Sequence, residues 1–404
     1  MITFIIFTVL CTNFIINCYP AAAVSSFNVT DQLNFISQLF SPDQNFTLGF
    51  FTIPATNYIY LGIWYTTQDP STKVWVANPS KPLVSNSSVL TIDPNTGKLI
   101  ITDRGTNLVN VSDNQIGGTS NLIAVLEDNG NFQLKNETDN NRTLWQSFDY
   151  PRNVLLPGMK LGSDLKTGKN WNLTSWLSDD VPDSGAFSLS WEPNGENDQR
   201  LMIRRRGQPY WTSGNLSNQM FEFMSVNNPF SRYWYNLSYV YNNEERNFSY
   251  RAFNGVWPMW SLRPSGEIVD GDSSMIWSPE FCYGFDSGNG CVEGTNLPTC
   301  RGGDDKVSLL NGDFAPMTSS SVDYSPLSIG DCMERCWNDC GCLGFTTTSS
   351  NDTGCVTWTG TKSVNNFSVN PQGTSVRSTC LLPQLLQVKE KLKTGFGHQL
   401  LLAF

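Results

Sequence analysis

The most informative stretch of the sequence is Leu144-Trp145-Gln146-Ser147-Phe148-Asp149-Tyr150-Pro151, which places three aromatic side chains within eight residues and ends at a proline. It continues through Leu155-Leu156-Pro157-Gly158-Met159-Lys160-Leu161-Gly162, where two further Pro/Gly breaks occur. Aromatic residues favour strands, whereas proline and glycine interrupt them. The pattern predicts a buried aromatic strand end at which the chain leaves one domain and crosses to the next.

The chain before this stretch has the pattern of an all-β domain. From residue 24 to about residue 150, short apolar runs alternate with turns of Gly, Asn, Asp and Pro. For example, Val89–Ile92 and Lys98–Ile101 flank the turn Asp93–Gly97. No segment shows sustained helical periodicity, so strands are predicted throughout.

The chain after the stretch continues in strands from about residue 163 to 277 and is richer in aromatic residues. Aromatic side chains on strands either stack on sugars or pack one face of a sheet. We favour packing, because such large apolar groups are mostly buried. The residues concerned are Trp171, Trp176, Trp191, Trp211, Tyr233, Trp234, Tyr235, Trp257 and Trp260.

The charge balance argues against a nucleic-acid-binding protein. The 404 residues carry a formal net charge of −10, and the only basic run is Arg204-Arg205-Arg206. A nucleic-acid binder needs a concentrated basic face. A solvated strand edge or hairpin explains this short run better than a phosphate site does.

The N-terminus has the features of a secretory signal peptide. A mostly apolar segment from Met1 to Asn17 is followed by a small-residue site that ends at Ala23. This order predicts cleavage after Ala23. The alternative is a membrane anchor, but no Lys or Arg precedes Lys73 to fix one.

Sequons for N-glycosylation support an extracellular location. Each Asn-x-Ser/Thr site is a candidate for glycan attachment in a secreted protein. The twelve sites are Asn28, Asn45, Asn86, Asn110, Asn136, Asn141, Asn172, Asn215, Asn236, Asn247, Asn351 and Asn366.

Cysteine is concentrated in the last third of the chain. Beyond the predicted signal peptide, the first cysteine is Cys282. A fold without disulfides is therefore predicted for the first two-thirds, and a disulfide-bonded region for the rest. A four-cysteine zinc site is the less favoured alternative, because it needs a reducing compartment. The nine cysteines are Cys282, Cys291, Cys300, Cys332, Cys336, Cys340, Cys342, Cys355 and Cys380, an odd number that leaves at least one free or paired between chains.

Several segments resemble the extracellular part of plant S-domain receptor-like kinases. The aromatic stretch resembles the junction between the bulb-type lectin domain and the S-locus glycoprotein domain of that family. The segments Phe46–Phe51, Tyr60–Tyr65 and Val74–Asn78 resemble lectin strands, whereas Asp164–Gly168 and Leu173–Trp176 resemble the second domain. This resemblance implies a β-prism of three small sheets followed by a second β-rich domain.

The cysteine-rich region resembles a PAN/apple domain. Ser328–Cys342 resembles the helix of such a domain, with Ser328 as a suitable N-cap, and Gly354–Gly360 resembles its closing strand. The family pattern implies the disulfides Cys332–Cys355 and Cys336–Cys342. It leaves Cys282, Cys291, Cys300, Cys340 and Cys380 unassigned.

The resemblance implies a mainly β chain with a small α+β domain at its end. The expected order is a signal peptide (1–23), a bulb-type lectin domain (24–150) and an S-locus glycoprotein domain (163–277). A reduced, single-bridge remnant of an epidermal-growth-factor-like module (278–303), a PAN/apple domain (305–380) and an atypical tail (381–404) follow. The tail contains no apolar run long enough to span a membrane. An amphipathic helix, an altered splice product and a truncated gene model remain open for this tail.

Catalytic chemistry is not expected. The single histidine, His398, lies in the tail, so neither a Ser-His-Asp triad nor a histidine-ligated metal site is expected in the folded body. The glycine-rich, H-R-D and D-F-G motifs of a protein kinase are absent. The adjacent acids Asp179-Asp180 and Asp304-Asp305 favour solvated turns over a glycosidase pair. We therefore expect a non-enzymatic protein without cofactor or metal.

Carbohydrate binding is the sharpest functional hypothesis. Mannose-binding bulb lectins use a strand with the pattern Q-x-D-x-N-x-V-x-Y, and the nearest match here offers Asp128, Asn131 and Gln133. The first position is Leu126, one extra residue separates Asp128 from Asn131, and the final Tyr is missing. Loss of one hydrogen-bonding group in a small polar site costs about 1–3 kcal/mol, so mannose binding is expected to be weak or absent.

The expected function is recognition at the cell surface, as in pollen recognition or defence signalling, through a protein or peptide ligand or a co-receptor. A mannose-type lectin and a fragment of a receptor serine/threonine kinase gene are the alternatives. No nucleic-acid partner is expected. A glycan partner is possible, and so is a homodimer or a heterodimer. We expect an extracellular, apoplastic location, or the plasma membrane if the complete gene product carries a transmembrane kinase.

Overall fold

The structure is a computed structural model. It describes residues 24–68, 72–113, 121–224, 234–253, 257–271, 273, 275–277, 282, 289–292, 298–300, 308–314, 318–348, 350–360, 367–369 and 378–381. Several predictions lie outside these residues: the signal peptide, the sequon at Asn366, the pair Asp304-Asp305, most of the growth-factor-like remnant, and the tail after residue 381.

The chain up to Gln146 is built from short strands, as the alternating pattern predicts. They are β1 (Ser26–Asn28), β2 (Gln38–Phe40), β3 (Phe46–Ile53), β4 (Tyr58–Tyr65), β5 (Trp75–Val76), β6 (Ser88–Ile92), β7 (Leu99–Asp103), β8 (Thr106–Asn110), β9 (Leu122–Leu126), β10 (Phe132–Asn136) and β11 (Arg142–Gln146). They form three small sheets with the orders β1-β9-β10-β11, β2-β3-β4-β5 and β6-β7-β8. Three small sheets are what the predicted β-prism requires.

After a short 3₁₀ turn at Ser147–Asp149, the chain continues in strands. They are β12 (Val154–Leu155), β13 (Leu161–Asp164), β14 (Asn170–Trp171), β15 (Leu173–Ser178), β16 (Val181–Trp191), β17 (Leu201–Arg205), β18 (Gln208–Thr212), β19 (Leu216–Ser217), β20 (Met220–Phe221), β21 (Trp234–Tyr241), β22 (Glu245–Phe253), β23 (Trp260–Leu262), β24 (Ile268–Asp270) and β25 (Met275–Trp277). Their sheets have the orders β12-β23-β24-β25, β14-β13-β22-β21, β15-β16-β17-β18 and β19-β20.

The cysteine-rich end combines one helix with one sheet. Helix α1 spans Ile329–Asn338, and the strands are β26 (Ser308–Phe314), β27 (Ser319–Asp323), β28 (Cys342–Thr346), β29 (Cys355–Thr359), β30 (Phe367–Val369) and β31 (Ser378–Leu381). The sheet order is β27-β29-β28-β31-β26-β30. A mainly β fold with a small α+β domain at its end is confirmed.

Helix α1 begins where the sequence predicts. The Ser328 hydroxyl accepts a hydrogen bond from the Asp331 backbone N–H, and the Asp331 carboxylate accepts one from the Ser328 N–H at 2.9 Å. This reciprocal capping satisfies two donors that a helix start leaves unpaired. Cys332 and Cys336, four residues apart, lie on the buried face of the helix.

The chain separates into two compact units. Unit 1 comprises residues 1–50, 63–71 and 87–146, and unit 2 comprises residues 51–62, 72–86 and 147–404. The change from Gln146 to Ser147 falls inside the aromatic stretch, where the sequence predicts a crossing between domains. Two segments that precede residue 150, residues 51–62 and 72–86, nevertheless belong to unit 2.

The interior of unit 1 is formed by apolar side chains, and its residues from Val24 onward include no cysteine. Strands β6 and β9 alternate between buried and partly exposed residues, as strands with one covered face do. The fully buried ring of Phe132 lies with its centroid 6.4 Å from that of Phe27 and 6.1 Å from that of Trp145. Trp145 belongs to the quoted stretch, so its strand end is buried as predicted.

Unit 2 contains the aromatic-rich sheets. Trp211 and Trp260 are fully buried, and Trp260 stacks on Tyr250 with ring centroids 4.7 Å apart. Trp171, Trp176, Trp191 and Tyr235 are also buried. These rings therefore form packed interiors, which is the favoured prediction, and their faces are closed to a sugar.

Candidate functional site

The three candidate sugar-binding residues lie on the hairpin between β9 and β10. The backbone turns at Asp128–Gly130, where Gly130 has a φ of +84° that favours glycine. The Gly130 N–H donates to the Glu127 carbonyl at 2.9 Å, and the Glu127 N–H donates to the Asn131 carbonyl at 3.0 Å. The sequence Asp-Asn-Gly therefore acts first as a hairpin turn.

The polar groups of this hairpin are engaged inside the protein. The buried Asn131 amide donates to the Gln146 side-chain oxygen at 2.9 Å, and the Gln133 amide donates to the same oxygen at 3.3 Å. The Asp128 carboxylate accepts the Asp43 backbone N–H at 2.7 Å. A hexose that bound here would have to share or replace these bonds.

The aromatic stretch joins two segments of unit 2 through backbone carbonyls. The indole N–H of Trp75 donates to the Tyr150 carbonyl at 3.0 Å. The Arg152 side chain donates from Nε to the Val76 carbonyl at 2.9 Å and from a terminal nitrogen to the Ala77 carbonyl at 3.4 Å. Burial lowers the pKa of Arg152. These three bonds fix the chain where it leaves the aromatic strand end.

The triple-arginine run forms a hairpin, as predicted, but its guanidinium groups are ion-paired and not simply solvated. The tip between β17 and β18 has positive φ at Arg206 and Gly207. Arg204 makes two bonds to Glu192, at 2.8 and 2.7 Å. Arg205 pairs with Glu334 of α1, and Arg206 makes two bonds to Asp331 of α1, at 2.8 and 2.6 Å.

This hairpin docks the start of helix α1 on the second β domain. A Cβ atom on Gly330 would lie 2.5 Å from the Phe187 ring, so only glycine permits this close approach. Burial alone would raise the pKa of Asp331, but the bonds from Arg206 and Ser328 outweigh burial and hold it below its ordinary value. The arginine run is visible in the sequence, but its spacing does not predict that its partners are Asp331 and Glu334, more than 120 residues later.

Four disulfides lie in the cysteine-rich part of the described chain. Cys332–Cys355 and Cys336–Cys342 are present, the pairs that the family pattern implies. Cys282 pairs with Cys291, and Cys300 pairs with Cys340. The Cys300–Cys340 disulfide links the expected growth-factor-like remnant to the turn after α1. The ninth cysteine, Cys380, lies on β31.

A small polar cleft lies beside two of these disulfides. It has a volume of about 210 Å³ and is lined by residues of β27, α1, β28 and β29. Arg335 pairs with Asp323 at its edge. Hydrogen bonds from Ser325 and then from Arg335 hold the pKa of the Asp323 carboxyl well below its usual range. Among the residues that the structure describes, no group of His, Cys, Asp or Glu has the geometry of a metal site.

The described sequons differ in exposure. Eight are exposed: Asn28, Asn45, Asn86, Asn110, Asn141, Asn172, Asn215 and Asn236. Asn136 and Asn351 are partly buried, and Asn247 is 3% exposed on β22. A glycan cannot be accommodated on a buried amide, so we expect Asn247 to be unmodified in this fold.

The described residues include few helical segments. None of their helices is both long enough and apolar enough to cross a bilayer. The adjacent acids Asp179-Asp180 form the two-residue turn between β15 and β16, where Ser178 pairs with Val181. The turn is the one that the sequence predicts, but its acids are not fully solvated, because burial raises the pKa of both Asp179 and Asp180.

Two protein-family models match the chain. Residues 72–177 match a model described as a D-mannose binding lectin, and residues 300–362 match one described as a PAN-like domain. Neither match is to a kinase domain. The second match includes Cys300, in agreement with the Cys300–Cys340 bond.

Known relatives match most of the chain. An S-locus-specific glycoprotein of Brassica oleracea is 31% identical over 81% of this chain and 84% of its own length. A G-type lectin S-receptor-like serine/threonine-protein kinase of Arabidopsis thaliana is 32% identical over 77% of this chain and 41% of its own length. A receptor-like serine/threonine-protein kinase of the same species is 31% identical over 82% and 44%.

The chain thus spans less than half the length of the receptor kinases that it matches, but most of the length of the S-locus glycoprotein. The chain belongs to the family of S-locus glycoproteins and G-type lectin S-receptor-like kinases.

Proposed function

We propose that this chain is a secreted, non-enzymatic recognition glycoprotein that acts at the cell surface by binding a protein or peptide partner. The S-locus glycoprotein relatives support an ectodomain-like recognition role. The partner is a ligand or a co-receptor, and a homodimer or heterodimer fits the same role. Cell-surface recognition in this family includes pollen recognition and defence signalling, and the proposed location is the apoplast.

One observation carries the choice of a protein partner over a sugar. In the hairpin that matches the mannose motif most closely, the Asn131 amide is buried against Gln146 and the Asp128 carboxylate accepts a backbone N–H. A hexose would be recognised by amide and carboxylate groups that are free to bond its hydroxyls. These groups already have partners, so a protein surface is the better candidate.

The second candidate is a mannose-type lectin, which the family match at residues 72–177 favours. A third is a fragment of a receptor serine/threonine kinase gene, which would place the complete product in the plasma membrane. Sequencing the mature transcript around the codon for Phe404 separates the third candidate from the others.

The test uses the glycosylated chain purified from the medium of expressing cells. Binding to plasma-membrane preparations is measured after protease or endoglycosidase treatment, in parallel with titration against mannose and mannosyl glycans. We expect binding that protease abolishes and endoglycosidase leaves unchanged, with no saturable mannose binding. Asp128→Ala is expected to leave the membrane binding unchanged, because one turn carboxylate contributes little to a broad interface. Saturable mannose binding that disappears in Asp128→Ala would make the chain a working lectin.

A further inference from the structure

Strand β21 is an open edge of the second β domain. It is the outermost strand of the sheet β14-β13-β22-β21 and pairs with β22 from Trp234↔Phe253 to Tyr241↔Arg246. An edge strand presents backbone groups that are able to pair with another extended chain. Natural edges are usually protected by Lys, Pro or a bulge. The sequence of β21, WYNLSYVY, contains no charged residue and no proline.

The register shows which residues face outward. The Asn242 N–H donates to the Glu245 carbonyl at the hairpin loop, so the residues that bond to β22 are the even-numbered ones. The backbone groups of Leu237, Tyr239 and Tyr241 therefore point away from β22. A group that lies against this edge should therefore bond to the backbone of Leu237, and the structure contains such a bond.

A glutamine side chain occupies the first part of this edge. The Gln219 side-chain oxygen accepts the Leu237 N–H at 2.6 Å, and its amide nitrogen donates to the Leu237 carbonyl at 3.0 Å. The Gln219 amide thus stands where the peptide group of a further strand would lie. Asn218 and Gln219 both have positive φ, a conformation that glutamine rarely adopts. The turn therefore holds an amide against the edge in spite of its backbone strain.

The second part of the edge is uncovered. Among the described residues, none bonds to the outward N–H and C=O groups of Tyr239 and Tyr241. Two large side chains of this region are exposed: Tyr239 is 46% exposed, and Met220, next to Gln219 in the sequence, is 57% exposed. The nearby acids are neutralised, because Glu245 pairs with Lys160 and Glu244 pairs with Lys166. The Arg246 guanidinium lies 4.8 Å from the centre of the Tyr241 ring, so the free edge is short and has one positive charge beside it.

We propose that the edge at Tyr239–Tyr241 is a docking surface for a short extended peptide segment of a partner protein, which adds a strand to the sheet. Backbone pairing of this kind supplies affinity, and flanking side chains supply selectivity. The inference rests on the proposed function and names the surface that the partner would use.

A second copy of this chain fits the edge less well. In an antiparallel pair that joins Tyr239 to Tyr241 of a second copy, Leu237 would lie opposite Asn243 of that copy. Gln219 already occupies the outward groups of Leu237. The loop of the second copy would therefore meet the turn between β19 and β20. A peptide that ends before this point avoids that collision.

The test uses a labelled peptide that copies β22 (Glu245–Phe253), because that sequence already pairs with β21 on its other edge. Binding to the full glycosylated chain is measured by fluorescence anisotropy. Two variants form a matched pair: Tyr239→Pro and Tyr239→Thr both lose the ring, but only proline removes the outward N–H. The ladder to β22 is kept, since Tyr239 does not bond to it. We expect Tyr239→Pro to bind the peptide about tenfold more weakly than Tyr239→Thr.

Peptides with N-methyl groups on alternate residues provide a second test. It uses the unaltered protein, so it does not depend on the folding of a variant. One methylation pattern is expected to abolish binding and the other to preserve it, because only one edge of the peptide faces β21. No binding up to about 1 mM peptide, or equal binding of both patterns, would overturn the proposal. Self-association that is lost in Tyr239→Pro would assign the edge to a second copy instead. Membrane binding that persists in Tyr239→Pro would reject this surface while leaving the proposed function in place.

Discussion

Between Val24 and Gln146 the chain contains no cysteine, whereas the described residues from Cys300 to Thr359 contain three disulfides and a single helix. In unit 1, rings such as Phe132 and Trp145 are buried among many apolar neighbours. In the PAN-like region, the helix is held by Cys332 and Cys336 and by ion pairs to Arg205 and Arg206.

The difference shows how domain size selects the source of stability. A small domain buries a smaller fraction of its surface, so cross-links and docking contacts have to offset more of the chain entropy. A larger array of strands with covered faces reaches stability through burial alone. We therefore expect truncation of a core side chain to destabilise unit 1 most, and reduction of disulfides to destabilise the PAN-like region most.

The largest expected effect is the loss of a core ring in unit 1. Phe132→Ala should destabilise unit 1 by about 3–5 kcal/mol, because it removes a fully buried ring and leaves a cavity. Hydrogen exchange of β9 and β10 measures the loss. Ile36→Ala, at a side chain that is 89% exposed, is the control and should change stability by less than about 0.5 kcal/mol. Equal effects of the two substitutions would contradict the burial account.

Removal of a disulfide should come next and should affect only the other region. The double change Cys332→Ser with Cys355→Ser opens a loop of 23 residues and is expected to cost about 2–5 kcal/mol there. The double change Cys336→Ser with Cys342→Ser opens a separation of only 6 and should cost less. Limited proteolysis with mass spectrometry locates the first cuts. Cuts before residue 146 as early as those after residue 300 would contradict the comparison.

A smaller effect is expected at the docking of helix α1. Arg206→Asn removes two bonds to Asp331, whose side chain is only 12% exposed, while asparagine tolerates the positive φ. We expect a loss of about 1–2 kcal/mol in the protection of α1, discounted for the half-exposed arginine. Arg142→Asn breaks a pair whose arginine is 66% exposed and should cost less than about 1 kcal/mol. Hydrogen exchange on both variants compares the two pairs.

The smallest expected effect is that of acid. Burial raises the pKa of Asp331, but its bonds to Arg206 and Ser328 prevail and lower it. A carboxyl group whose pKa is lower in the folded state than in the unfolded state stabilises the fold at pH values above the unfolded pKa, which is about 4. This stabilisation is lost as the pH falls below that value. Protection of α1 should therefore be constant from pH 7 to about 5 and fall below about pH 4. In Arg206→Asn the pKa of Asp331 rises back toward its unfolded value, so the fall below about pH 4 should be smaller than in the unaltered chain. A fall that begins above pH 6 in the unaltered chain would contradict this assignment.

The strands and the helix start were predictable because their signals are local. Alternating apolar residues indicate strands, and Ser328 with Asp331 three residues later indicates a capped helix. The end of β11 within the aromatic stretch was predictable for the same reason, since proline and glycine interrupt strands wherever they occur. Burial of the tryptophans followed from their size.

The candidate site was less predictable. Sequence alone identifies Asp128, Asn131 and Gln133 as sugar-binding candidates, but it does not reveal that Gln146 accepts from both amides. Likewise, the arginine run predicts a hairpin but not its acidic partners on α1. Side-chain partners across strands and domains depend on register and docking, which no local pattern encodes.

By itself, the sequence determined the all-β character of the first two-thirds, the disulfide-rich end and the capped helix, because hydrophobic period, cysteine spacing and capping residues act over a few neighbours. Only the tertiary structure decided which polar groups remain available to a partner. It pairs Asn131 with Gln146, Arg206 with Asp331 and Gln219 with Leu237, and within the described part of the chain it leaves the edge at Tyr239 uncovered. A hydrogen bond between residues distant in the chain requires both to be positioned by the whole fold, so its existence is a property of packing and not of composition.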